Sequence, residues 1–96
     1  MVALRELSFS LDEFFRHLPY ALRGFSHSRD GTGTVTAWRP DGARVLVQAE
    51  PLPPRRLSEL LILPRCSVHL AFEGFDAVEQ AAFLANFDRA FQRGGG

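Results

Sequence analysis

Five arginines gather around two turn-forming stretches. Guanidinium forks at such places hold phosphate or carboxylate through paired hydrogen bonds. Arg39 and Arg44 flank the turn Arg39-Pro40-Asp41-Gly42, while Arg55, Arg56 and Arg65 surround Pro51-Leu52-Pro53-Pro54 and Pro64-Arg65. A common anion site, binding or enzymatic, requires the fold to bring those turns to one end. Asp41 and Glu59 lie in the same segments, so solvated turn charge balanced by local carboxylates is the competing explanation.

The other reactive residues form weaker patterns. His17, His27 and His69 have no metal-binding spacing among themselves, and no Cys/His cluster is present, so no metal and no cofactor is expected. Cys66 shares the parity of Val68, Leu70 and Phe72, which turns its thiol toward the core and makes it inert. Ser26-His27-Ser28-Arg29-Asp30 holds the residue types of a triad, but triads converge from separate elements. Asp30-Gly31-Thr32-Gly33 lacks the preceding strand and following helix of a phosphate loop. No catalytic residue is assigned.

Charge and composition narrow the class. Eleven basic residues balance eleven acidic ones, so no field favours nucleic acid or an anionic membrane. Trp38 alone among the aromatics is placed to stack on a base, which also argues against nucleic acid. No window approaches a membrane helix, and the opening Met1–Glu6 meets charge too early for a signal peptide. All the basic residues are arginine, a bias that a GC-rich bacterial genome produces. With one cysteine, the expected setting is bacterial and cytoplasmic. Hydrophobic content of 46% with nine Phe supports one packed domain over 1–93. Arg93-Gly94-Gly95-Gly96 is expected to be a flexible tail. Its glycines resemble the activated Gly-Gly end of small sulfur-carrier and ubiquitin-like proteins, although those chains end on a strand.

Periodicity supplies the elements. Leu7, Phe9 and Leu11 alternate with Glu6, Ser8 and Ser10, which predicts an opening strand. Ser10 and Glu13 form a capping box, and Leu11, Phe14, Phe15, Leu18 and Leu22 follow at helical spacing, with Pro19 expected to break or kink the helix. Residues 25–33 read as a mobile loop. Thr34–Trp38 and Ala43–Glu50 form a hairpin, and Pro51–Pro54 an extended connector that cannot continue a central strand. Residues 57–63 read as a further strand closed by a tight turn at Pro64-Arg65. Cys66–Glu73 is a strand, and a second capping box at Asp76 and Glu79 opens a helix running to about Gln92.

The predicted fold class is α+β: an antiparallel sheet of four to five strands with two helices on one face, in the order β-α-β-β-β-β-α. The uncovered face would carry Trp38, Leu46, His69 and Ala71. A half-apolar open face suggests pairing with a second copy, with Trp38 as an aromatic anchor. The expected function is therefore a non-enzymatic binding module, self-associating or holding a protein. The alternatives are a domain that binds or acts on a small anionic or phosphate ligand at the turn arginines, and a Gly-Gly-tailed carrier protein.

Overall fold

The computed structural model describes residues 2–92. Its elements are β1 (Val2–Leu7), α1 (Leu11–Ala21), β2 (Ser26–Arg29), β3 (Val35–Trp38), β4 (Arg44–Arg56), β5 (Ile62–Glu73) and α2 (Ala77–Ala90). The five strands form one antiparallel sheet in the order β1-β5-β4-β3-β2. The element order is the predicted one, and both helices share a face. Gly94–Gly96, read as a tail, lie outside the described residues.

Both capping boxes form. Ser10 Oγ accepts from the Glu13 amide at 3.2 Å and Glu13 Oε1 accepts from the Ser10 amide at 3.0 Å. Asp76 and Glu79 do the same at α2, at 2.7 and 3.1 Å. Each satisfies two amides that the first helical turn leaves without partners. Pro19 does not break α1. It stands in the last turn, where the lost amide removes one ladder bond near an end that is already closing.

The core lies between the helices and one face of the sheet. Phe14, Leu18 and Leu22 of the α1 segment and Phe83, Phe87 and Phe91 of the α2 segment pack against Val45, Val47, Val68, Leu70 and Phe72. Phe14 stacks on Phe91 at 5.0 Å and meets Phe87 at 6.5 Å, joining the helices through rings. Cys66 is fully buried in the same cluster, and burial, followed by the nearby Glu13 carboxylate, pushes its thiol pKa up.

Four boundaries differ from the sequence expectation. The opening strand is Val2–Leu7, earlier than the alternation suggested, because the chain leaves β5 after the pair Leu7 and Cys66. Residues 26–29, expected in a loop, form strand β2. Asp30 makes the short return possible: its Oδ1 accepts from the Thr32 and Thr34 amides at 2.8 and 3.0 Å, closing a tight hairpin. Strand β4 continues through Pro51–Pro54 to Arg56. The neighbouring β3 ends at the pair of Val35 and Val47, so Pro51 stands where no outer ladder partner exists. Pro53 and Pro54 lie inside a register shift between Leu52 and Arg55. Residues 57–61 are the turn and not a strand, and Pro64 and Arg65 belong to β5. The outer halves of β4 and β5 thereby form a two-stranded arm, and the molecule measures 50 × 30 × 21 Å.

Candidate functional site: the open sheet face

Residues directly opposite in an antiparallel ladder point to the same side. The registers therefore define the face that the helices leave uncovered. One row runs Val2, Ala71, Leu46, Thr36 and Ser28 across all five strands. A second holds Leu4, His69 and Gln48, and a third Glu73, Arg44, Trp38 and Ser26. Glu6, Ser67 and Glu50 make the fourth.

The first row is apolar at its centre and the neighbouring rows extend it. Val2 is 63% exposed, Leu4 57% and Trp38 39%, with Leu46 and Ala71 half-buried between them. Its charges are largely cancelled within the chain. Arg44 Nε donates to Glu73 Oε2 at 2.6 Å, and Arg65 Nη2 meets Glu6 Oε2 at 3.5 Å near the opposite margin. Each pair bridges adjacent strands, so no isolated guanidinium stands on the face.

Trp38, Leu46, His69 and Ala71, which the sequence places on the uncovered face, all belong to it. His69 borders a polar hollow of about 340 Å³ with Thr34, Gln48 and Glu50. Val2 and Leu4 were not singled out. The alternation in the sequence points to a strand around Leu7–Leu11, whereas β1 is Val2–Leu7 and adds its apolar residues beside β5.

The five turn arginines do not share one site. Arg44 lies on the open face. Arg39 lies on the helix side, with its guanidinium 4.9 Å from the Phe75 ring centre and Nη2 at 2.7 Å from Glu79 and 3.1 Å from Asp41. It borders a groove of about 330 Å³ walled by Phe25, Phe75 and Phe83, and its Nε is buried without an acceptor. The Ala43 amide, followed by the Arg39 charge, holds the Asp41 carboxyl below its usual range. Arg65 is at the root of the arm. Arg55 and Arg56 pair with Leu63 and Ile62 near its tip.

His17 is held between the helices. Its Nε2 lies 2.6 Å from the Ala90 carbonyl oxygen, consistent with an N–H donating to it, and the ring packs against Phe9, Tyr20 and Phe91. Among the described residues no group of three His, Cys, Asp or Glu is placed to hold a metal ion. No described helix is long and apolar enough to cross a membrane. Comparison with protein-family models, curated proteins and solved structures finds no match.

Proposed function

We propose that the chain is a homotypic binding module whose open sheet face packs on the same face of a second copy. The observation that carries this reading is the uncovered row Val2–Ala71–Leu46, widened by Leu4 and Trp38, on a sheet whose other face holds the whole core. Burying such a patch releases about 25 cal/mol for each Å² of apolar surface removed from water. Charge opposes the contact little: of the charged residues in the four rows, only Glu50 has no ion pair among the described residues. Arg44–Glu73 and Arg65–Glu6 neutralise each other within one chain, and the formal net charge is zero, so two copies meet with little mutual repulsion.

A two-fold axis between the sheets places the same patch on both sides, giving a closed sandwich. The face is about five strands wide at ~4.8 Å spacing and roughly 20 Å along the strands, so the buried area falls at the small end of specific interfaces. Association is therefore concentration-dependent. Leu4→Glu tests it: Leu4 is outside the core cluster, so the variant folds, while a carboxylate enters the contact at the β1 side of the face, next to Val2 and His69. Sedimentation with Trp38 emission recorded in parallel should show the wild type gaining mass with concentration, and Leu4→Glu losing the part of that gain that buries Trp38. Equal association of both overturns the proposal.

A further inference from the structure

The hairpin arm ends in Leu60, 98% exposed and the most exposed large apolar side chain among the described residues, beside exposed Leu57, Leu61 and Ile62. The tip is closed by its own hydrogen bonds. Leu57 N donates to Leu61 O at 2.9 Å, and Ser58 Oγ accepts from the Leu60 and Leu61 amides at 3.3 and 3.1 Å. A rigid turn presenting leucines to water has a binding surface prepared in advance, because little conformational entropy remains to be lost.

At the root of the arm, on the helix side, lies a largely apolar groove of about 300 Å³ walled by Leu11, Pro51, Pro54 and Pro64, with Asp12 and Arg65 also in its lining. The chain's own tip cannot reach it. Residues 52–57 extend the arm about 17 Å beyond its root at ~3.3 Å per residue, and the β4–β5 ladder holds it straight. Prolines at 51, 53, 54 and 64 also blunt the arm's outer edges against strand addition. The surfaces left for contact are its tip and its faces.

Charge identifies the occupant. Arg56 pairs with Ile62, which has the parity of core-facing Cys66, so Arg56 lies on the same side of the arm as the groove. Arg56 has no ion pair or side-chain hydrogen bond among the described residues, and neither has Asp12. The two stand toward opposite ends of one arm. A second arm laid antiparallel along this side brings each Arg56 to the other chain's Asp12 and each leucine tip to the other chain's groove. One two-fold operation satisfies both copies and closes the contact.

We propose that the β4–β5 arm is a clasp that grips the root of the matching arm in a second copy of this chain. This contact is separate from the open sheet face and does not depend on it. The test is sedimentation of the full chain over a concentration series, with Trp38 emission recorded in parallel, because Trp38 reports the sheet face and lies at the end of the sheet away from the arm. Leu60→Glu should leave the melting temperature unchanged and weaken association at least tenfold. Arg56→Glu and Asp12→Arg should each weaken it, and their combination should restore it. Mass gain that depends on Leu60 while Trp38 emission stays constant supports the clasp and removes the sheet-face contact. Association insensitive to Leu60→Glu, a charge exchange that fails to restore it, or a wild type monomeric throughout overturns the clasp.

Discussion

Arg44 and Arg56 stand at the two ends of one strand, β4, whose 13 residues span roughly 40 Å at ~3.3 Å each. Arg44 faces Glu73 across the ladder on the open face, whereas Arg56 is opposite Ile62 out on the arm. No single phosphate group touches both. Their contributions to stability should accordingly be independent, and each exposed guanidinium should matter by less than about 1 kcal/mol. Urea unfolding of Arg44→Ala, Arg56→Ala and the double variant should give additive changes. A coupling well above about 0.5 kcal/mol would show a link that this geometry does not contain.

The ring cluster between the helices and the sheet should dominate stability. Phe87 is fully buried and touches the rings of Phe14, Phe83 and Phe91. Phe87→Ala should cost about 3–5 kcal/mol by loss of transfer energy and by the cavity left behind. Leu60→Ala, at a position 98% exposed, should change stability by less than about 0.5 kcal/mol. Denaturant midpoints of the two variants measure the contrast.

Gly74 closes β5 into α2 with φ at +76°, and a Cβ there would come within 3.1 Å of the Ala43 backbone. Gly24 has a similar φ of +85° but open space around it. Gly74→Ala should therefore destabilise more than Gly24→Ala, since both pay backbone strain of about 1–2 kcal/mol and only the first adds a clash with main chain. Thermal melts of the two variants decide this, and equal losses would refute the close approach.

Acid sensitivity should arise partly in the β2–β3 turn. Hydrogen bonds from the Thr32 hydroxyl and amide, followed by weaker ones including the Thr34 amide, lower the Asp30 pKa below its ordinary 3.8. A carboxyl held lower in the folded state contributes stability that is complete above the unfolded value and is lost as pH falls through the folded one. Asp30→Asn should therefore flatten the loss of stability below about pH 4 and leave its slope near neutrality unchanged. A pH series of melting temperatures is the check.

Much of the architecture is legible because side-chain period and capping chemistry are local. Cys66 to Phe72 alternates cleanly, and both capping boxes are written as S-x-x-E and D-x-x-E. The arm was hidden because proline reads as a strand breaker, a rule that applies only where an outer neighbour needs the missing amide. At Pro51 that neighbour is absent, a fact fixed by the length of β3 and not by the residues around Pro51. Strand β2 was hidden for the opposite reason. Ser26-His27-Ser28-Arg29 has no apolar alternation, and its pairing rests on the Asp30 turn and on Arg29, whose guanidinium lies 3.9 Å from the Phe15 ring centre. Trp38, Leu46 and His69 share a face because their parities were correct. The arginine grouping was not legible, because proximity of turns in sequence says nothing about which end of a strand they occupy.

The most direct test of the homotypic sheet-face contact is Trp38 fluorescence followed through a dilution series. Trp38 is the only tryptophan and stands on that face beside Arg44. Pairing of two open faces removes the indole from water, so its emission should shift to shorter wavelength as concentration rises, in step with the increase in mass, and Leu4→Glu should abolish the shift. Emission that stays at the wavelength of a water-exposed indole while the chain gains mass would contradict the account.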